Sequence, residues 1–340
     1  MKTSVIIPTY NRPSLVTEAI DSVLAQSSRD FELIVVDDGS IIETNNTLAA
    51  YGDAIRVIRQ ANGGVNNARN NALSCARGEY IALLDDDDIW HPCKLEIQVE
   101  LMERFPELAF CFSNFSIYRD STSIRPDGIQ TWFSTSPDWD SFYDSSFTID
   151  EAGLAGNHAI PGSTRVYFGS IYKASLSHYY VLPSTALVRR SKIPEDLRFN
   201  EQDPICGDWE FFARLSRNNS VAYIDHDTAF NRSHEDEHRL TRTPWVKQLD
   251  YRVSMIERLY LCDETFCQQY GDEVSRVYRS SNHALWRQYL LNNDHTAMAQ
   301  SLKKYREHAS ALNPAYALFI LANQVPGMSH LLRGVRSLYR

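Results

Sequence analysis

The chain has no C-x-x-C pair, no excess of basic residues, no internal repeat and no low-complexity tract. Its six cysteines (Cys75, Cys93, Cys111, Cys206, Cys262 and Cys267) are scattered, which speaks against a zinc ribbon or a disulfide framework and for reduced thiols in a cytoplasmic protein. Lys and Arg number 34 against 43 Asp and Glu, and the formal charge of -9 argues against a general affinity for nucleic acid. A phosphate-bearing ligand would therefore have to be gripped locally, by a metal or by placed basic groups. The N-terminal apolar stretch Val5-Ile6-Ile7 is closed by Pro8 and is too short for a secretory signal, so no export is implied and sequons such as Asn114-Phe115-Ser116 carry no weight. Near the other end, the apolar segment Ala315 to Ala322 is too short to span a bilayer.

What is present is a chain of 340 residues, 43% hydrophobic, enough for one large domain or two modest ones. β-rich runs at Ser4 to Ile7, Phe31 to Val36, Ile55 to Ile58, Tyr80 to Leu84 and Ala109 to Phe112 alternate with helical patterns. One helix face carries Leu15, Ala19, Ile20, Val23 and Leu24, and another Leu95, Val99 and Met102. This alternation predicts an α/β fold, a doubly wound and mostly parallel sheet flanked by helices. From about Ser113 to Tyr180 the pattern fades and aromatics accumulate, among them Trp132, Phe133, Trp139, Phe142, Tyr143, Phe147, Tyr167 and Phe168, which suit either a sugar-stacking surface or core. The pattern resumes with Val181 to Val188, a helix over about Asp208 to Ser216 and a strand near Val221 to Ile224. After Pro244 it reads as helices, with Tyr251, Met255, Leu259, Val277, Leu285 and Tyr289 at core spacing. The expected division is 1–112, 113–243 and 244–340, the first two being halves of one domain.

In doubly wound sheets, ligands bind beyond the carboxyl ends of the strands. Three such ends carry polar signatures: Pro8-Thr9-Tyr10-Asn11, Asp37-Asp38-Gly39-Ser40, and the run Asp85-Asp86-Asp87-Asp88 behind Tyr80 to Leu84. Four adjacent carboxylates repel one another unless a cation or a bonded ligand offsets the repulsion, and hard cations such as Mg²⁺ or Mn²⁺ take oxygen ligands. A solvated acidic turn is the plainer alternative. One shared pocket is expected rather than three unrelated turns.

Those segments, joined by Asn62-Gly63-Gly64 with Ala68-Arg69-Asn70 and by Gly78-Glu79-Tyr80, resemble in order and spacing the family 2 glycosyltransferases. The resemblance is close over residues 1 to about 105 and weaker from about 180 to 240. It implies a GT-A fold, a nucleotide-sugar donor, a divalent cation (Mn²⁺ or Mg²⁺) and inversion at the anomeric carbon, to which the helical pattern after Pro244 adds a helical C-terminal extension. On that footing Pro8 and Tyr10 wall the base and ribose, although without the other motifs they would read as a packed turn. Asp38 accepts from the N–H edge of the base, which suits uracil, thymine or guanine, so a UDP-sugar is expected. Arg69 orients Asp38 or reaches a phosphate, or is simply an exposed cation.

Within the acidic run the family pattern of aspartate, any residue, aspartate makes Asp85 and Asp87 the metal-facing pair and leans Asp86 toward the ribose. Asp88 is expected to cap a helix beginning near Trp90 or His91, with Trp90 as a packing wedge. Phe230-Asn231-Arg232-Ser233-His234 resembles the family segment whose histidine completes the metal or diphosphate site, giving His234 that role, with a solvated loop histidine as the alternative. Cys206-Gly207-Asp208-Trp209-Glu210 resembles the acidic motif that supplies the catalytic base, giving Asp208 that role; the alternative is a helix N-cap, and Glu210 is the fallback base. Gly207 stands where a second acid is usual. The string His234-Glu235-Asp236-Glu237-His238 also spells the zinc-protease motif, but its polar neighbours leave no apolar face to bury such a site.

The expected activity is transfer of a sugar to a hydroxyl of a glycan or lipid-linked acceptor, as in cell-surface polysaccharide synthesis, by a cytoplasmic enzyme. Beyond Pro326, Leu331, Leu332, Val335 and Leu338 interleave with Arg333, Arg336 and Arg340, a pattern suited to peripheral contact with the inner face of the membrane or to docking on the protein's own core. The rivals are a nucleotidyltransferase on a related sheet and a non-catalytic nucleotide- or carbohydrate-binding module. Oligomeric state and sugar identity are not encoded in any motif.

Overall fold

A computed structural model describes residues 1–119, 123–133, 137–154, 160–233, 243–292 and 294–308. Chain contacts divide the protein into two compact units, Met1–Glu237 and His238–Arg340.

The strands of the first unit are β1 (Thr3–Thr9), β2 (Phe31–Asp37), β3 (Arg56–Arg59), β4 (Tyr80–Leu83), β5 (Ile89–Trp90), β6 (Phe110–Tyr118), β7 (Ile124–Arg125), β8 (Ser145–Thr148), β9 (Arg165–Gly169), β10 (Leu187–Arg189) and β11 (Val221–Arg232). They join one sheet in the order β3-β2-β1-β4-β10-β6-β11-β9-β8, with β5 paired to β11 and β7 to β6. Strands β3, β2, β1 and β4 are parallel, as are β6 and β11, while β10 runs antiparallel between β4 and β6. The fold is therefore the expected mostly parallel α/β sheet. Both faces of its centre are covered, so all seven residues of β1 are buried around the apolar run Val5-Ile6-Ile7.

The flanking helices are α1 (Pro13–Leu24), α2 (Ile42–Ala49), α3 (Val65–Cys75), α4 (Lys94–Arg104), the short α5 (Gly128–Trp132) and α6 (Trp139–Phe142), and α7 (Gly207–Ser216). α1 starts at Pro13, where a missing N–H costs nothing, and buries Val16, Ala19, Ile20 and Val23 against the sheet.

Two expectations need correction. No helix begins at Trp90 or His91; Ile89 and Trp90 form β5 against Phe230 and Ala229, and α4 starts only at Lys94. The strand expected near Val221 to Ile224 runs on to Arg232 through two register shifts, so its polar middle Asp225-His226-Asp227 disguised its continuation. The aromatic-rich middle is largely core. Trp139 packs on Tyr223 and Tyr180, with ring centroids 4.3 and 5.3 Å apart, and Tyr143, Tyr167 and Phe168 are buried, whereas Trp132 and Phe147 keep exposed rings.

In the second unit, α8 (Trp245–Ile256), α9 (Glu264–Leu291) and α10 (His295–His308) pack together. Met255, Leu285 and Trp286 are fully buried, Tyr278 stacks on Tyr305 at 5.4 Å, and α9 departs from helical geometry at Tyr270. Among the described residues no helix is long and apolar enough to cross a membrane. The segment Ala315 to Ala322 and the basic pattern through Arg340 lie outside the described residues, as do His234 and the string to His238.

Candidate active site

The site begins where β1 ends. β4 stays paired with β1 only as far as Ile6 opposite Leu83, after which Leu84 N donates to Ile6 O. Pro8, two residues on, faces the same way, so its missing N–H falls where β4 has already turned aside and no ladder bond is lost. Beyond it Tyr10 has an exposed ring, 47% accessible, and Asn11 adopts a left-handed conformation. Asn11 ties the strand end to its neighbour: its N–H donates to Ser40 Oγ (2.9 Å) and its Oδ1 accepts from Ile41 N (2.7 Å).

Asp38 follows β2 and is buried. Its Oδ1 accepts from Gln60 Nε2 (2.7 Å) and Gly63 N (2.8 Å), and its Oδ2 from Gly64 N (2.8 Å). Gly64 has φ +84°, the conformation that lets two successive N–H groups face the carboxylate. A carboxylate has about four acceptor positions, so one position on Oδ2 remains for a ligand N–H. Arg69 does not reach Asp38. It lies buried on α3 and donates from Nη2 to Asp85 Oδ1 (2.6 Å), while its Nη1 stands 3.8 Å from Asp208 Oδ2. Burial works against the Arg69 charge, but these two carboxylates outweigh it and hold its pKa above the usual value.

The four acids after β4 point in different directions. Asp85 is the most open, its side chain 28% accessible, with its backbone N–H on Ser184 Oγ (3.1 Å). Asp86 is clasped by Thr9 Oγ1 (2.7 Å) and Arg12 Nη1 (2.8 Å); burial pushes its carboxyl up to about 6, Arg12 pulls it back, and Asp87 adds to the rise. Asp87 Oδ2 lies 3.3 Å from the same Arg12 nitrogen. Asp88 is not a helix cap. It is buried and accepts from Ser184 Oγ (2.5 Å), Asn231 Nδ2 (3.0 Å) and Arg232 N (3.2 Å), pinning the acidic turn to β11. Burial, followed by the charges of Asp87 and Asp85, raises its carboxyl well above the ordinary range. Trp90 is a buried wedge, its Nε1 donating to Ser184 O (2.7 Å).

Asp208 is the second residue of α7, so the cap position falls to Cys206 and the N-cap alternative is set aside. Its Oδ1 accepts from Trp209 N (2.7 Å), and its side chain keeps 19% of its surface exposed. Burial raises its carboxyl, Arg69 opposes the rise and Asp85 supports it. The hydroxyl of Tyr179 is buried beside this group, and burial together with the Asp208 charge raises the pKa of the phenol. Glu210 turns away, accepting from Asn200 Nδ2 at 3.2 Å.

Through Arg69 and Arg12 the structure thus links Asp85 to Asp208 and Asp86 to Asp87. Sequence reasoning gave Arg12 and Ser184 no role. A lone cation two residues past Tyr10 was a usable sign, since four acids nearby need positive charge; Ser184, 99 residues from Asp85 in the chain, gave none. Among the described residues no three His, Cys, Asp or Glu side chains gather as a ready metal-ligand set. Asp85 and Asp87 offer carboxylate oxygens, the donor type that would suit a hard divalent cation.

A mixed α/β sheet whose parallel strands end in acids and guanidinium groups has the architecture of the GT-A glycosyltransferases. Glycosyl transferase family 2 matches residues 4–173, half of the chain, and the chain belongs to that family. Among its relatives, an uncharacterized glycosyltransferase of Rickettsia felis is 44% identical over 133 residues, 37% of this chain and 22% of that protein. TuaG of Bacillus subtilis, named as a teichuronic acid biosynthesis glycosyltransferase, is 42% identical over 127 residues, 36% of this chain and 50% of its own. The chain thus spans about a fifth to a half of the length of these curated relatives. Among solved structures, S. aureus TarS with UDP aligns at a TM-score of 0.53 and 19% identity, over 83% of this chain and 70% of that one. The mannosyltransferase PcManGT from Pyrobaculum calidifontis, with GDP-Man and Mn²⁺, aligns at 0.53 and 16% identity, over 99% and 84%. At these identities the likeness is one of fold.

Proposed function

We propose that the protein is an inverting glycosyltransferase that moves a sugar from a nucleotide-sugar, with UDP-sugar as the donor, to a hydroxyl of a glycan or lipid-linked acceptor. The observation that carries this reading is the position of Arg69, in contact with Asp85 and 3.8 Å from Asp208, the two carboxylates this reading assigns to the donor and the acceptor. The UDP complex of TarS and the teichuronic acid biosynthesis in the name of TuaG are consistent with it.

Family membership and the Mn²⁺ in the PcManGT complex support a divalent cation. Asp85 and Asp87 would hold it, joined by His234 in the reading from sequence, and the cation would offset the charge that grows on the departing diphosphate. The protein's own groups do the rest. Pro8 and Tyr10 wall the base, Asp38 accepts its N–H, and Asp86 lies toward the ribose from its clasp at the end of β1. Asp208 takes the proton from the acceptor hydroxyl as that oxygen attacks the anomeric carbon from the face opposite the diphosphate. Burial raises its pKa against the pull of Arg69, which makes it a stronger base than an ordinary aspartate.

Product analysis tests the reaction class. Transfer releases a nucleoside diphosphate, whereas a nucleotidyltransferase releases pyrophosphate and a binding module neither. Asp208→Asn should lower turnover by about 10²–10⁴ while leaving donor affinity nearly intact. Full turnover in that variant would remove Asp208 from the role of base.

A further inference from the structure

Helix α3 carries Asn66, Asn67, Asn70 and Asn71, an unusual density for a residue that competes with helical backbone bonds. Three of them reach across to the segment just ahead of α7. Asn70 exchanges two bonds with the backbone of Phe199, Nδ2 to O and N to Oδ1, each 2.9 Å. Asn67 and Asn70 also donate to the Glu201 carboxylate at 3.0 and 2.8 Å. Asn66 goes deepest: it is 4% exposed, and its Nδ2 donates to Asn200 O (2.9 Å) and Asp203 O (3.0 Å). Its Oδ1 accepts from Arg69 Nη1 at 3.4 Å, so the same amide also steadies the guanidinium beside Asp85 and Asp208.

The Asn66 amide fills the space in front of Gly207, the first residue of α7. A Cβ at position 207 would lie 2.2 Å from Asn66 Nδ2, which would have to move aside, and 3.0 Å from Asn200 O, which would have to give by a few tenths of an ångström. Glycine is required there for room. One step further along stands Asp208. The turn leading in is itself pinned, since Cys206 N donates to Asp203 Oδ1 (2.8 Å) and Asp203 O is one of the carbonyls that Asn66 holds.

We propose that Asn66 is a positioning residue for transfer, forming with Gly207 a matched pair that fixes the entry of α7 and so the place of the Asp208 carboxylate. This inference rests on the reading of Asp208 as the base. It also gives a physical reason for the glycine where the family usually has an acid: the buried amide of Asn66 occupies the volume that acid would need.

The test is a double-mutant cycle of Asn66→Ala, Gly207→Ala and the pair, with kcat for transfer, donor Kd and Tm measured for each, and with Asp208→Asn run alongside. Displacement of a reacting group by about 1 Å costs on the order of 10²-fold, so Gly207→Ala should lose about that much in kcat with donor Kd nearly unchanged. Asn66→Ala should lose about tenfold, again in kcat. The double variant should recover part of the Gly207→Ala loss, because removing the amide makes room for the added methyl. Losses that simply multiply, or that fall on donor affinity or Tm while kcat is kept, would overturn the proposal. Should Gly207→Ala fail to fold, Asn66→Ala adds no bulk and reads the same split between kcat and Kd by itself. Full turnover in Asp208→Asn would overturn the base assignment and this inference together, whereas an inactive Asp208→Asn with a multiplicative cycle overturns the inference alone.

Discussion

At Asp208 two influences of opposite sign compete: burial, helped by the charge of Asp85, raises the carboxyl, and Arg69 at 3.8 Å holds it down. A base acts in its deprotonated form, so the rate should rise with pH through its pKa, and the acid limb of kcat should lie above the ordinary aspartate value of about 4. Arg69→Met removes the opposing charge and should move that limb to still higher pH. Profiles between pH 4 and 8 for both proteins check this, and a limb that moves down would contradict it. Individual residues were only partly legible from sequence. Asp38 could be recognised as an acceptor, but its bonds to Gly63 and Gly64 depend on a left-handed turn that no periodicity reveals. Arg69 was legible as a cation near the site, but its pairing with Asp85 rather than Asp38 depends on how α3 packs on β1 and β2.

The elements supporting the acidic turn bury an unusual number of polar groups. On α4, Lys94 is wholly buried, its Nζ donating to Gln98 Oε1 (2.6 Å) and standing 4.2 Å from the Trp90 ring centre. Burial lowers its pKa to about 7. The sign follows from proton counting. Between about 7 and the unfolded value near 10.4, the unfolded chain binds the proton that the folded protein has shed, so Lys94 adds stability as pH rises through that window. Lys94→Met should abolish that rise, which would appear as a difference between the two proteins' urea midpoints that shrinks from pH 6.5 to pH 9.5. A difference independent of pH would show that Lys94 keeps its proton in the fold. The strands of the first third were legible because their apolar runs are short and bounded by turn residues. The start of α4 was not, because Asp88 and Trp90 look like a helix entry until their partners Ser184 and Asn231, about 96 and 143 positions along the chain from Asp88, are known. The same long-range pairing extends β11 past its polar middle.

Across the molecule, the unit Met1–Glu237 contains every described contact from which the site is built, and His238–Arg340 packs its own core around Trp286 and Tyr305. The class of fold was legible because alternating strands and helices admit few topologies. The antiparallel insertion of β10 between β4 and β6 was not, since its three residues offer no periodicity. That insertion brings Ser184 beneath the acidic turn and so helps decide which of the four acids stay available. Asp86 and Asp88 are the more deeply enclosed, Asp86 by Thr9 and Arg12 and Asp88 by Ser184 and Asn231. Asp85 and Asp87 each also meet an arginine, Arg69 and Arg12, and on the proposed reading these two carboxylates grip the donor's diphosphate through a cation. Calorimetric titration of UDP into the protein, with and without Mn²⁺, tests that claim directly. Mn²⁺ should tighten UDP binding by about tenfold or more in the native protein and have almost no effect in Asp85→Asn. UDP affinity indifferent to Mn²⁺ in the native protein, or a gain that survives in Asp85→Asn, would contradict it.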